Sequence, residues 1–263
     1  MAANGILLKK RWRAGEVSLG LFVHCTDPAF ANILSYLGFD FLILDNEHQP
    51  FNQESMQNIL LNIRASDTVP MVRVAENSVP LIKHALDFGA EGILVPMVRT
   101  ADEACRAVAA IKYPPMGERG MGGRAVTDFY RKNKEYVETA NDRTIVMLQI
   151  EHIDAVNHIE EIAQVPGVDC LFVGQVDLSA SMGLAWQIEH PDVQAATQRV
   201  LDVAKTHHIA VGVGLDASPE VVLAWAERGA RVMALGMDWS LMRRQAEDML
   251  SAIRGALAAR EAS

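Results

Sequence analysis

Eight short apolar, β-branched runs recur along the whole chain, and no other feature restricts its folding as much. They fall at 18–25 (SLGLFVHC), 39–45 (FDFLILD), 69–74 (VPMVRV), 92–97 (GILVPM), 144–151 (TIVMLQIE), 170–177 (CLFVGQVD), 210–215 (AVGVGL) and 231–238 (RVMALGMD). Their hydrophobicity is continuous rather than alternating, as parallel strands covered on both faces require. Amphipathic stretches separate them, at 52–65, 79–88, 101–111, 154–164, 191–207 and 218–228. Several end in Gly89-Ala90, Pro166-Gly167 or Gly229-Ala230, the punctuation that closes a helix before a strand. Strands alternating with helices imply right-handed βαβ units. Eight of them in 263 residues fit an α/β fold of the (β/α)8 TIM-barrel type better than an open sheet. No linker or composition break divides residues 1–263, which are read as a single barrel domain. The last segment, 240–260, is an amphipathic helix with no strand after it, suited to closing the barrel or packing on a neighbouring subunit.

Half of the residues are hydrophobic, enough for a barrel-sized core. A formal net charge of −9 argues against a nucleic-acid surface, which needs a basic footprint. Lys9, Lys10, Arg11 and Arg13 form the one basic cluster, read as a solvated chain start. No apolar run has signal-peptide or membrane-spanning character, so no membrane partner is expected. Cys25, Cys105 and Cys170 are odd in number and share no metal-ligand spacing. A cytoplasmic setting is the simplest reading.

Polar residues collect where these strands end, the face on which such barrels place their chemistry. Strand two ends in Asp45, Glu47 and His48; strand three carries Arg73; strand five ends in Gln149 and Glu151; strands six and eight end in Asp177 and Asp238. Gly212 and Gly214 on strand seven are small residues that leave room. Glu151 and Asp177 cap adjacent strands, and two carboxylates close together repel unless a cation lies between them. Hard oxygen donors suit Mg²⁺ or Mn²⁺. Asp177 is read as a helix start, so the amides of Val176 and Asp177 suit an anion such as a carboxylate. His48 is the natural general base, against the alternative of a satisfied structural imidazole. Arg73 needs an anion if it sits inside a barrel, and an oxyanion is favoured over packing. His24 and Cys25 are placed at the first strand's tip as pocket lining, with Cys25 read as packing. The glycine-rich loop 113–123 is read as mobile or interfacial, with Arg119 a substrate or subunit contact. No lysine falls at a strand end, which disfavours a Schiff-base aldolase and leaves metal-assisted enolate chemistry.

The motifs "LDNEHQPFN", "VPMVRV", "GILVPMV", "YPPMGERGMG", "MLQIE" and "FVGQVDLSASMG" resemble the HpcH/HpaI aldolases, class II metal-dependent pyruvate aldolases, over nearly the whole chain and in order. The resemblance implies a homohexamer, a trimer of dimers. It also implies a divalent cation (Mg²⁺, Mn²⁺ or Co²⁺) and cleavage of a 4-hydroxy-2-oxo acid into pyruvate and an aldehyde. Carried over by motif, His48 corresponds to the base, Arg73 to the enolate-stabilising arginine, and Glu151 and Asp177 to the metal ligands. Gln149 and the Val176 and Asp177 amides correspond to substrate contacts. Asp87 corresponds to an aspartate that strengthens the base, and Asp45 and Glu47 to acidic neighbours of it. Asp87 lies late on a helix leading away from the catalytic face, so it is expected to act across a subunit interface. Phe22 stands where several members carry tryptophan, Gln175 departs from the usual GPxDLS, and Gly214 replaces a larger apolar residue. A CoA-thioester lyase, a decarboxylase or a catalytically silent metal–oxo-acid binder remain alternatives on the same scaffold.

Overall fold

The computed structural model describes residues 4–215 and 218–261. In order, the elements are α1 (Asn4–Arg13), β1 (Ser18–Val23), α2 (Pro28–Ser35), β2 (Phe41–Asp45), α3 (Gln53–Ile63), β3 (Val69–Arg73) and α4 (Val79–Phe88). There follow β4 (Gly92–Val95), α5 (Ala101–Ile111), α6 (Asn133–Arg143), β5 (Ile145–Ile150), α7 (Ile153–Asn157), α8 (Ile159–Ala163) and β6 (Cys170–Val173). The chain ends with α9 (Gln175–Ser181), α10 (Pro191–Thr206), β7 (Ala210–Gly214), α11 (Pro219–Arg228), β8 (Val232–Met237) and α12 (Asp238–Glu261). The eight strands pair in parallel in chain order and close through β1–β8 into one barrel, a single-domain (β/α)8 fold.

Two apolar layers follow from the alternation of side chains along each strand. Leu42, Leu44, Val72, Leu148 and Leu171 face outward and pack with helix residues such as Ile59, Ile82 and Ala107. Phe41, Ile43, Met71, Met147 and Phe172 face inward and fill the barrel. Of the two β7 glycines expected to leave room, Gly214 lines the cavity at the mouth with only Phe172 near its missing Cβ, at 3.9 Å, whereas Gly212 does not leave the interior open. A Cβ on Gly212 would lie 2.4 Å from the Phe172 ring, so the space is already occupied.

The basic segment 9–13 is a solvated start only at Lys10 and Arg13, which are exposed. It belongs to α1, which plugs the bottom of the barrel with Leu8 and Trp12. Lys9 is buried, with Nζ 3.4 Å from Asp169 Oδ1 and 3.3 Å from the Thr144 carbonyl. Lys112 reaches the same place from the end of α5, donating to the carbonyls of Asn141 and Thr144 at 2.7 Å each. Two other expectations are corrected. The helix read over 154–164 is broken at His158 into α7 and α8. Strand six stops at Val173, and Asp177 lies inside α9, which begins at Gln175.

Only the beginning of α12 meets the barrel, at β1 and β8. Beyond it, Met242, Met249, Leu250, Ile253 and Leu257 are exposed. No helix among the described residues is long and apolar enough to cross a membrane.

Burial pushes the Lys112 ammonium down from 10.5 to about 8, with Lys9 and Arg13 adding to the depression against Asp169. The folded state therefore binds fewer protons than the unfolded chain between those two values, and stability must rise with pH there. The unfolding free energy of wild type minus that of Lys112→Met should increase as pH is raised from about 8 to about 10.5. Denaturant midpoints across that range would show it, and a flat difference would refute the burial argument.

Candidate active site

The same alternation decides which polar groups reach the mouth. Phe41 and Ile43 face inward, so Asp45 does; Val69 and Met71 set Arg73, and Ile145 and Met147 set Gln149. Asp45 and Arg73 are also register partners on adjacent strands.

Asp45 is fully buried, accepts four hydrogen bonds and has a histidine ring nitrogen against it. Arg73 donates from Nε (2.9 Å) and Nη2 (2.8 Å). His24 Nε2 lies 3.1 Å away, and the amides of Glu47 and His48 approach at 3.2 and 3.3 Å. Burial alone would push the Asp45 carboxyl up. The hydrogen bonds from His24 and Arg73, and the Arg73 charge, outweigh it and hold the group well below the usual carboxylate range. Arg73 further lies over the Phe22 ring, 4.9 Å from its centroid. Its Nη1 is 3.2 Å from Glu47 Oε2 without the alignment of a hydrogen bond. Of the five N–H groups of a guanidinium, two are committed to Asp45.

The remaining groups are under-satisfied. Glu47 Oε2, Gln149 Oε1 and Gln175 Nε2 are buried side-chain atoms with no hydrogen-bond partner, and such atoms are rare in native interiors. Glu151 is buried; Oε1 accepts from the Met97 amide at 2.8 Å and Oε2 from Gln149 Nε2. Burial raises its carboxyl, against those two bonds, and the charges of Glu47 and Asp177 raise it further. Burial likewise raises Glu47, against Arg73 and His48, with Asp45 and Asp177 adding to the rise. Gly174 has to be bare here, since a Cβ would stand 2.8 Å from Glu151 Oε2.

A cavity of about 530 Å³ opens beside these groups, with Asp45, Arg73, Gln149, Gly174 and Gln175 in its lining and Glu47 and Glu151 outside it. Its lining includes Phe22, His24, Asp45, His48, Arg73, Gln149, Gln175, Val176, Asp177, Trp239, Arg243 and Arg244. The His48 ring is largely exposed, with Nε2 3.7 Å from Glu47 Oε2. The amides of Val176 and Asp177 lie in the first turn of α9, where helix N–H groups have no intrahelical acceptor.

Crowded carboxylates with hard oxygen donors and an orphaned amide oxygen fit a divalent cation held by Glu151 and Asp177. Among the described residues no three His, Cys, Asp or Glu side chains form a metal cluster. A cation here must therefore complete its shell with water or a chelating ligand.

Asp87 and Arg119 lie elsewhere. Arg119 is buried, its guanidinium 4.6 Å from the Tyr113 ring centroid and 3.2 Å from Asp87 Oδ1. Neither belongs to the mouth, and Arg119 is not a surface contact. The loop read as mobile is pinned to α5 by Glu118 and Arg119 amides bonded to the Ala109 and Lys112 carbonyls at 2.7 and 2.9 Å. Cys25 falls outside the cavity lining, whereas Trp239, not singled out in the sequence, belongs to it. Its one sequence cue is its place directly after Asp238 at the tip of β8.

Removing one partner of a buried pair strands the other charge. Asp45→Asn should destabilise the fold by about 3–5 kcal/mol at neutral pH, read as a shift in the urea midpoint. The depressed carboxyl contributes stability above the ordinary carboxylate range and loses it as pH falls, so the deficit should shrink in acid. A variant as stable as wild type would deny the pair its structural role.

The family described as HpcH/HpaI aldolase/citrate lyase matches residues 18–244, a span that includes all eight strands. The 2-dehydro-3,6-dideoxy-6-sulfogluconate aldolase of Pseudomonas putida is 38% identical over 90% of this chain and 92% of its own. The 4-hydroxy-2-oxo-heptane-1,7-dioate aldolase of Salmonella typhimurium is also 38% identical, over 91% of each chain. The solved structure of an HpcH/HpaI aldolase/citrate lyase family protein from Burkholderia cenocepacia J2315 superposes with a TM-score of 0.89 at 35% identity, covering 94% of this chain and 99% of that one. With the barrel and its acidic mouth, these matches mean that the chain belongs to the HpcH/HpaI aldolase/citrate lyase family.

Proposed function

We propose that this protein is a divalent-metal-dependent class II aldolase that reversibly cleaves a 4-hydroxy-2-oxo acid into pyruvate and an aldehyde. The observation that carries the reading is the unsatisfied polar mouth. Glu47, Gln149 and Gln175 each keep a buried polar atom without a partner, beside an arginine with spare donors. Gln175 Nε2 and the spare N–H groups of Arg73 are donors that the carboxylate and keto oxygens of a bound oxo acid would meet, whereas Glu47 Oε2 and Gln149 Oε1 are acceptors that a cation or its waters would meet.

In this reading Gln149 and the Val176 and Asp177 amides hold the oxo-acid head. Glu151 and Asp177 are the metal ligands, and Mg²⁺, Mn²⁺ or Co²⁺ there supplies Lewis-acid polarisation of the 2-oxo group. His48, with its ring open to the cavity, removes the C4 hydroxyl proton through a water. The C3–C4 bond breaks, its electron pair passes into the pyruvate enolate, and the aldehyde forms at C4. The spare N–H groups of Arg73 donate to the enolate oxygen.

Asp87 is assigned to the base of a neighbouring subunit, since in its own chain it is engaged by Arg119 away from the mouth. The exposed apolar side chains of α12 support self-association, in a hexamer arranged as a trimer of dimers. The three cysteines are unpaired, which suits the cytoplasm.

Two measurements test this. Chelation should abolish turnover and Mn²⁺ should restore it and raise the melting temperature. Glu151→Gln should remove both responses without lowering metal-free stability, because a carboxylate disfavoured by burial and by like charge is lost. Undiminished activity of that variant after chelation would remove Glu151 from the metal site. Arg73→Lys keeps a point charge for Asp45 but not a planar fork. It should fold and bind metal, yet lose aldol cleavage and pyruvate-proton exchange with deuterium by roughly a hundred- to thousandfold. Retained exchange with lost cleavage would move Arg73 from the enolate to the aldehyde.

A further inference from the structure

Asp45 aims Arg73, and the structure shows what aims Asp45. His24 Nε2 lies 3.1 Å from Asp45 Oδ2. On the other side of the ring, Trp239 Nε1 donates to His24 Nδ1 at 3.1 Å. An indole N–H is a donor only, and a neutral imidazole carries one proton. His24 Nδ1 must therefore present its lone pair to Trp239, which puts the proton on Nε2, directed at the carboxylate. The opposite tautomer would turn a lone pair toward Asp45 and an N–H toward the indole N–H, and both contacts would be repulsive.

The loop carrying His24 is held from the same helix. Asp238, buried at the start of α12, accepts the amides of His24 and Cys25 on Oδ2 at 2.9 and 2.8 Å. Its Oδ1 takes the Trp239 amide at 2.7 Å. The first turn of α12 thus grips the backbone of residues 24–25 and orients the ring of His24.

We infer that His24 and Trp239 are positioning residues for the enolate-forming arginine, arranged in the order Trp239–His24–Asp45–Arg73, with Trp239 selecting the histidine tautomer. This rests on the aldolase reading for its catalytic consequence, but not for the tautomer. The His24 ring meets Asp45 from β2 and Trp239 from α12, and it shares the cavity lining with Arg73, His48, Arg243 and Arg244. His24 itself has both ring nitrogens occupied, so it is not a candidate for the base.

The test is made on the full chain with ¹⁵N-labelled histidine. In wild type at neutral pH, the His24 resonances should report a protonated Nε2 and a bare Nδ1. A proton on Nδ1 would overturn the inference. Trp239→Phe keeps an aromatic ring but loses the donor, and the resonances should move toward a tautomer mixture. Loss of such outer partners typically costs roughly 10- to 100-fold. Pyruvate-proton exchange with Mn²⁺ should fall by about that factor in kcat, with KM for pyruvate unchanged. His24→Gln retains a donor for Asp45 and should keep more exchange activity than His24→Leu, at matched thermal stability. Equal activity of the glutamine and leucine variants, or a loss confined to KM, would also overturn the relay. If wild type itself exchanges no pyruvate proton with any of Mg²⁺, Mn²⁺ or Co²⁺, the aldolase reading fails, while the tautomer measurement still decides the Trp239–His24 contact.

Discussion

A carboxylate on one strand and a guanidinium on the next, joined by two parallel hydrogen bonds, set the geometry of the whole mouth. Neither charge could be placed inside a barrel alone, because each would lose hydration with nothing in return. Together they are tolerable, and the pairing has a second effect. Asp45 and Arg73 are opposite one another in the β2–β3 ladder. A slip of one residue would turn one of them into the apolar layer under the helices. The pair is therefore a register device as well as a buried ion pair.

The barrel carries a polar cluster at each end, and the contrast between them separates structure from chemistry. At the bottom, Lys9 and Lys112 share Asp169 and donate to the Thr144 carbonyl. Two cations there share one carboxylate, and burial together with the neighbouring cations lowers the Lys112 ammonium. At the mouth, burial raises the Glu47 and Glu151 carboxyls and the Asp177 charge adds to both rises, while polar atoms of Glu47, Gln149 and Gln175 find no partner. Uncompensated like charge around preorganised donors costs stability in the empty site. The natural source of compensation is a bound cation together with an anionic ligand that chelates it.

Much of this was legible because strands buried on both faces must be apolar throughout. Each of the eight runs found in the sequence contains an observed strand. Where the reading overran, apolar continuity had outlasted the strand. In "CLFVGQVD" the valine at 176 looks like strand, but Gly174 caps a helix and Val176 already belongs to it. Segment α1 was misread for a different reason. Its lysines and arginines are local in sequence, whereas their partners Asp40 and Asp169 are 29 and more residues away. Nothing in a run of cations announces which of them will find a distant anion, as Lys9 and Arg11 do. The His24–Trp239 contact spans 215 residues and is invisible for the same reason, as is the Asp87–Arg119 pair. Periodicity reveals burial, but it does not reveal which distant side chain completes a buried polar group.

That distinction also explains the last helix. At about 1.5 Å per residue, the 24 residues of α12 extend about 36 Å, far more than is needed to seat Asp238 and Trp239 against the loop after β1. Its first residue is buried, with Asp238 accepting from three backbone amides. Its remainder offers Met242, Met249, Leu250, Ile253 and Leu257 to solvent at spacings that share one side of a helix. A helix this polar on one side and apolar on the other gains little by standing alone. The two halves therefore answer to different constraints. The first turn must be rigid because the histidine beside Asp45 depends on it, and it achieves this with contacts inside the chain. Arg243 and Arg244 still line the cavity, so only the helix beyond them stands clear of the mouth, and four of the five exposed apolar side chains lie there.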